Sequence, residues 1–388
     1  MKSTWLTVIL AAALLPGCSG NGDTNGGAGE GSGAEGGKAS AAFVRNIREG
    51  KSATFEARHE FRLMAPAGTK KARIWFTMPQ EDPAQEVSGL RVECAQKHEI
   101  VTDRSGNRLI HVVAENPGKE VVIVATFTVT RREQIAGPDA AKARPLSDAE
   151  KKDLAAELAP NAHVIIDDGI RSLSKQIVGA ETNPVIAARK IYDWVLANIE
   201  YWVKNPLTLK ASPVGSTEYC LSTKTGNCTD FHSLWTSLAR AAGIPTRMVY
   251  GSFFKKELDG KDADQSYHCW PEFYVSGIGW IPHDVAVADI FVGDFQLNKD
   301  NEGKVRLTTA DGYTAGDPAK VEYYFGNLEE RRVTWSRGRD LELTPKQDGG
   351  PVNALAKAYV ELDGVAAGEK SADGTVIWSR KLTFTEKK

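Results

Sequence analysis

The chain carries almost no surplus of charge of either sign. Its 388 residues include 48 Lys and Arg against 50 Asp and Glu, which gives a formal net charge of −2. A protein that binds nucleic acid through its overall field needs a surplus of positive charge to displace the counterions of the phosphates. Because that surplus is absent, we expect no nucleic-acid partner. The hydrophobic fraction of 41% is ordinary for a soluble protein.

Cysteine is also scarce, with five in the chain and no Cys-x-x-Cys pair among them. Zinc sites with several thiolate ligands usually contain such pairs. The cysteines and histidines near Cys228 and His232 therefore make a metal site only a minor alternative, and we expect no metal and no cofactor. A disulfide between Cys220 and Cys269 remains open, whereas Cys228 is predicted to be free and Cys94 to be a buried thiol.

The apolar stretch at the N-terminus, residues 5–15, is too short to span a bilayer. It follows the positive Lys2 and precedes small residues, which is typical of a secretory signal peptide, here residues 1–18. Leu15-Pro16-Gly17-Cys18 resembles a bacterial lipobox, so Cys18 is the predicted lipidation site, with cleavage by a general signal peptidase as the alternative. We expect an exported, membrane-anchored lipoprotein of the bacterial envelope whose body is periplasmic.

Two segments of very different composition follow. Residues 19–42 are rich in glycine and polar residues, cannot form a core, and are predicted to be a disordered tether. Residues 43–135 alternate apolar and polar side chains, as in Phe55–Leu63 and Val121–Val129. A period of two indicates strands with one buried face, so this region is predicted to be a β-sandwich-like domain.

Helical signals appear from about residue 147 onwards. Ser147 with Glu150 forms a capping-box pattern, and Asn183-Pro184 marks the start of another helix. After a stretch interpreted as one long polar loop, 204–226, a helix is predicted over 228–242. Strands are predicted next, at 246–254, 267–275 and 279–282. A helix followed by an antiparallel sheet indicates an α+β fold.

Three residues in this region form a possible catalytic series. Cys228 opens the predicted helix, where unpaired N–H groups and the helix dipole favour a thiolate. His268 lies on a later strand and Asp284 follows another strand. A cysteine, a histidine base and an orienting acid in this order predict a catalytic triad. Each of these residues taken singly could have only a structural role. The three in this order indicate a catalytic site far more specifically than any one of them.

Several segments resemble the transglutaminase-like superfamily, whose core is related to papain-like cysteine proteases. They are Gly226–Trp235, Gly243–Arg247, His268–Tyr274, Gly279–Asp284 and, in a C-terminal extension, Tyr323–Leu328 and Ser336–Asp340. The resemblance implies a core in which the nucleophile helix packs on an antiparallel sheet. It also implies a catalytic domain over 136–345 and C-terminal β strands over 346–388. Cys228, His268 and Asp284 occupy the positions of the family's nucleophile, base and acid.

Such a triad would attack an amide carbonyl of a protein or peptide and form a thioester. The oxyanion would bind the Cys228 N–H and a second donor, for which Tyr201, Trp202 and Tyr219 are candidates. Water then gives hydrolysis, which we favour, whereas a lysine amine gives a glutamine–lysine cross-link. A non-catalytic binding module on the same fold is the remaining alternative.

Two further interpretations concern charged and polar side chains. The run Glu329-Glu330-Arg331-Arg332 is predicted to be a solvated turn. His232 is predicted to pack or to hydrogen-bond within its own helix.

Overall fold

The N-terminal strands follow from the period-two stripes. The computed structural model describes residues 50–309 and 313–388, so the predicted signal peptide, Cys18 and the tether lie outside the described residues. The first strands are β1 Ser52–Leu63, β2 Lys71–Thr77, β3 Gln85–Cys94, β4 Lys97–Thr102, β5 Arg108–Glu115, β6 Val121–Arg132 and β7 Gln134–Ile135. In β1, buried and more exposed side chains alternate along its length, as the sequence predicts.

The helical region begins with α1 Asp148–Asp153, α2 Ala155–Leu158, α3 Asp168–Val178 and α4 Pro184–Asn198. Ser147 and Glu150 form the predicted capping box of α1. Asn183 caps α4, and Pro184 is its first residue. Then come β8 Glu200–Tyr201, α5 Thr217–Thr223 and β9 Thr225–Gly226. The interpretation of 204–226 as one long loop is therefore wrong at its end, because Ser216 caps a short helix there.

The nucleophile helix is α6 Cys228–Ala241, and the strands after it are β10 Thr246–Phe253, β11 Tyr267–Val275 and β12 Gly279–Pro282. Helices α7 Val285–Ile290, α8 Glu302–Thr308 and α9 Pro318–Tyr323 come next, then β13 Asn327–Leu328 and β14 Arg332–Arg337. Four strands form an antiparallel sheet in the order β12-β11-β10-β14. Helix α6 packs on β10 and β11, which is the α+β arrangement that the sequence predicts.

Helix α6 is buried along almost its whole length. Phe231, Leu234, Trp235 and Leu238 are fully buried in the largest core cluster. Full burial of each such side chain contributes roughly 1.5–3 kcal/mol, and Leu234→Ala would cost about 2–5 kcal/mol. The core therefore holds α6, and with it Cys228, rigidly against the sheet.

The C-terminal strands complete the N-terminal sandwich. They are β15 Ala358–Leu362, β16 Val365–Ala366 and β17 Trp378–Lys387. One sheet has the order β17-β1-β6-β3 and the other the order β16-β15-β2-β5-β4. Phe61, Phe76 and Ile123 lie in the core between them. The chain thus leaves the sandwich, forms the α+β core, and returns to the same two sheets.

Within the described residues, no helix is both long enough and apolar enough to cross a membrane.

Candidate active site

The start of α6 is fixed by reciprocal hydrogen bonds. The Asn227 side chain accepts from the N–H groups of Thr229 and Asp230, and the Asp230 carboxylate accepts from the Asn227 N–H at 2.9 Å. A Cβ on Gly226 would lie 2.4 Å from the Asp230 Cβ, so a side chain at Gly226 would collide with this cap. Cys228 is consequently the first residue of the helix, where its N–H has no partner within the helix.

The preceding loop is tied to the same carboxylate. Asp230 also accepts from the Ser212 N–H at 3.0 Å, the Ser212 hydroxyl and the Ser216 N–H at 2.8 Å. Burial raises the pKa of Asp230, and these hydrogen bonds oppose that rise. The loop 212–216 is therefore closed onto the end of α6 that carries the thiol.

The Cys228 thiol is held in a form that favours its anion. Only 6% of the residue is exposed. The Cys269 thiol donates a hydrogen bond to the Cys228 sulfur, and the charge of His268 acts in the same direction. Together they lower the pKa of Cys228 well below 9.0, against the effect of burial. A reactive thiolate, which is the nucleophilic form of cysteine, follows from this setting.

His268 lies between this thiol and Asp284. Its Nε2 is 2.7 Å from Asp284 Oδ2. The buried Nδ1 has no hydrogen-bond partner among the described residues, and the charges of the ring and of the Cys228 sulfur favour each other. Burial opposes a charge on the imidazole, but Asp284 and the Cys228 thiolate outweigh it and raise the pKa of His268 to about 9. The structure thus brings the three predicted triad residues together.

Asp284 supports more than one partner. It caps α7, where its Oδ1 accepts from the Val287 N–H at 2.9 Å. The same oxygen is 3.3 Å from His232 Nε2, while Oδ2 accepts from His268 and from the Arg332 guanidinium. Burial alone would raise the pKa of Asp284, but the charges of His268 and Arg332 hold it well below its usual range.

The prediction that Glu329–Arg332 is a solvated turn is wrong. Arg332 is fully buried, donates to Asp284 and Glu329, and lies 4.5 Å from the centre of the Phe253 ring. Glu329 accepts in turn from the Tyr324 hydroxyl. An uncompensated buried charge costs several kcal/mol, so Arg332 and the carboxylates on either side of it neutralise one another. No local pattern indicates this burial, because Asp284 lies 48 residues from Arg332 along the chain.

His232 packs in the core against the His268 and His283 rings, which is one of its two predicted roles. The other predicted role, a hydrogen bond within its own helix, is wrong. His232 Nδ1 is 3.7 Å from Cys269 Sγ, and its Nε2 faces Asp284. Cys94, Cys220, Cys228 and Cys269 are all free thiols, so the structure does not form the Cys220–Cys269 bridge that the sequence left open. Among the described residues, no group of three or more His, Cys, Asp or Glu is placed to hold a metal ion.

The three candidate oxyanion donors lie in different places. Tyr201 is buried, and burial, followed by the charge of the Cys228 sulfur, raises the pKa of Tyr201 well above 10.0. Trp202 lies in the turn after it, with Lys304 over its ring at 5.6 Å. Tyr219 is half-buried on α5. Among the described contacts, only those of Tyr201 reach the thiol.

The chain is similar to known proteins to different degrees. Residues 171–285 match the family described as the Transglutaminase-like superfamily. An uncharacterized protein of Haemophilus influenzae is 25% identical over 335 residues, which are 80% of this chain and 86% of that protein.

Two solved structures are also similar. A protein from Cytophaga hutchinsonii, proposed to be a cysteine protease, gives a TM-score of 0.51 at 17% identity and covers 86% of this chain and 98% of its own. It supports the fold alone. The periplasmic domain of TgpA from Pseudomonas aeruginosa, bound to ethylmercury, gives a TM-score of 0.33 at 14% identity over 60% of this chain and 89% of its own. That likeness carries no argument.

Proposed function

We propose that this chain, whose residues 171–285 form a domain of the transglutaminase-like superfamily, cleaves amide bonds of proteins or peptides through a thioester on Cys228. The observation that carries the proposal is the placement of His268, with Nε2 on Asp284 and its other nitrogen free for the Cys228 sulfur. A thiolate beside an imidazolium is the form in which a cysteine attacks a carbonyl.

The acylation step uses groups that are already in place. The Cys228 thiolate adds to the amide carbonyl carbon, and negative charge develops on the carbonyl oxygen. The Cys228 N–H at the start of α6 and the Tyr201 hydroxyl are the donors for that oxygen. His268 then gives its proton to the departing amine as the C–N bond breaks, and the thioester remains.

Deacylation reverses the role of the imidazole. Neutral His268 takes a proton from an incoming water, whose oxygen adds to the thioester carbonyl, and the Cys228 thiolate leaves. Asp284 holds the ring in one orientation throughout and stabilises its charged form. Hydrolysis is the outcome we favour; a lysine amine in place of water would give a cross-link between two proteins.

One assay with several readouts tests the proposal. N,N-dimethylated casein, which has few free amines, is incubated with the purified full-length chain and a dansylated primary amine. New amino termini report peptide hydrolysis, ammonia without dansyl uptake reports deamidation, and dansyl uptake reports acyl transfer to an amine. Envelope extract from the producing bacterium provides a second pool of substrates.

Variants Cys228→Ala and His268→Ala are the controls for this assay. We expect all product to disappear in both, because each removes a partner of the ion pair. Equal product from parent and variants would sink the enzymatic proposal and leave a binding module on the same fold.

We also propose that Cys18 anchors the body in the bacterial envelope, where the substrate would be periplasmic. The lipobox-like sequence before Cys18 supports this. Cys18→Ser should release the protein from the membrane fraction and abolish incorporation of labelled palmitate. Retention of both in the variant would contradict the anchor.

A further inference from the structure

A second thiol lies beside the nucleophile. Cys269 Sγ is 3.4 Å from the Thr229 hydroxyl, and the same hydroxyl is 3.9 Å from Cys228 Sγ. The Thr229 hydroxyl thus lies in contact with both sulfurs. Cys228 is therefore the thiol with which Cys269 is placed to react.

Cys269 also has its own imidazole and carboxylate. His232 Nδ1 is 3.7 Å from Cys269 Sγ, and His232 Nε2 is 3.3 Å from Asp284 Oδ1. His232 is thus placed to take a proton from Cys269, and the Asp284 carboxylate is placed to stabilise the imidazolium that results. In the amide-cleavage mechanism, neither this cysteine nor this histidine attacks the substrate or exchanges a proton with it.

Cys269 is not a second nucleophile for external substrates. The residue has no exposed surface and lies on β11, an inner strand of the sheet. Burial and the neighbouring Cys228 thiolate raise the pKa of Cys269 well above 9.0. The second of these effects disappears when Cys228 loses its negative charge, which happens when that sulfur is oxidised.

We propose that Cys228 and Cys269 form a reversible oxidation site, in which Cys269 captures the oxidised nucleophile as an intramolecular disulfide. The oxidant is a hydroperoxide. The Cys228 thiolate attacks the terminal OH oxygen of the hydroperoxide and the O–O bond breaks, which gives Cys228 sulfenic acid. The departing hydroxide or alkoxide takes the proton of the His268 imidazolium and leaves as water or an alcohol. Two electrons have then moved from the sulfur to the peroxide.

The second step closes the bridge. His232 takes the Cys269 proton, the Cys269 sulfur attacks the Cys228 sulfur, and the S–O bond breaks. Hydroxide leaves with that proton as water, and the S–S bond remains. A thiol reductant restores both cysteines by exchange. The inference rests on the reactive thiolate of the proposed function and not on the cleavage of any amide.

The test uses hydrogen peroxide on the purified full-length chain, followed by alkylation, trypsin digestion and mass spectrometry. In the parent we expect peptides 225–240 and 262–299 joined, at a mass two hydrogens below their sum, and separated again by dithiothreitol. In Cys269→Ala and Cys269→Ser the same treatment should instead add two oxygens to Cys228. The thiol recovered after reduction should then fall roughly tenfold, because sulfinic acid resists thiols.

Cys220→Ser is the matched control, since Cys220 is another fully buried thiol, with a pKa raised by burial, in the same core. It should form the 228–269 bridge as the parent does. The inference is overturned if the parent accumulates sulfinic acid on Cys228 while Cys269 stays reduced, or if the Cys269 variants recover as much thiol as the parent. A bridge in a chain that cleaves no casein would keep this inference and remove the proposed function.

Discussion

Two cysteine–histidine pairs converge on the single carboxylate of Asp284, and they differ in the position of their sulfurs. Cys228 begins a helix and keeps 6% of its surface, whereas Cys269 lies within β11 and has none. The pKa of Cys228 is lowered, first by the hydrogen bond from Cys269, while burial raises that of Cys269. The same residue types therefore give one thiolate and one thiol.

The comparison shows that an imidazole and a carboxylate are not enough to make a nucleophile. The start of a helix, the interaction with Cys269 and the charge of His268 all favour the anion on Cys228. Changes that remove one sulfur, the shared carboxylate or its counter-charge should therefore have very unequal effects.

The largest difference should separate the two thiols themselves. Cys228→Ala should lower kcat for amide cleavage by about 10⁴-fold or more, since it removes the nucleophile. Cys269→Ala should cost about tenfold or less, because the Cys228 thiolate loses one stabilising hydrogen-bond interaction and its pKa rises. Steady-state kinetics on dimethylated casein give both numbers. Equal losses of kcat in the two variants would contradict the assignment of Cys228, and not Cys269, as the nucleophile.

The shared carboxylate should come next. Asp284→Asn should lower kcat by about 10³–10⁴-fold, because the amide cannot stabilise the imidazolium of His268. It also leaves the buried Arg332 with one anionic partner fewer, which should cost about 3–5 kcal/mol of the free energy of unfolding.

Urea unfolding measures the stability loss of Asp284→Asn separately from kcat. The double variant Asp284→Asn/Arg332→Gln is its control. It should recover part of the stability, since the uncompensated charge is gone, and none of the kcat. Recovery of kcat in the double variant would mean that Asp284 acts only by balancing Arg332.

Much of the site's framework could be predicted from local sequence. The start of α6 at Cys228, its apolar face and the strand carrying His268 all follow from caps and periodicity. The burial of Arg332 beside Asp284 and the pairing of β1 with β17 could not be predicted in this way. Thr54 lies opposite Lys387, and no short-range pattern records a partner at that separation.

Arg332 illustrates the limit most clearly. A run of four charged residues is usually exposed, and burial of this one depends on Glu329 and the distant Asp284 both being present. His232 is similar, since its partners lie on β11 and at the start of α7. Buried polar networks of this kind form through tertiary contacts. Composition and periodicity therefore predict their residues to be exposed.

The second oxyanion donor gives a smaller predicted effect, and it refines the list of three candidates. Tyr201→Phe should lower kcat by about 10²-fold with little change in KM, since a donor used only in the transition state is lost. Tyr219→Phe is the matched control and should behave as the parent does. If Tyr219→Phe alone loses activity, the donor has been placed on the wrong element.

The smallest expected effect, and the most specific to the counter-charge, concerns Arg332. Removing a buried positive charge favours the protonated form of every neighbouring group, so Arg332→Gln should raise the pKa of Cys228. The rate of iodoacetamide labelling at Cys228 should then rise at a higher pH in Arg332→Gln than in the parent. Arg331→Gln is the control, because Arg331 is also buried but pairs with Glu386 and not with Asp284. Overlap of the two labelling curves would show that Arg332 holds the fold together without tuning the thiolate. A shift to higher pH in Arg332→Gln alone would show that the active site includes β14, which lies outside the matched residues 171–285.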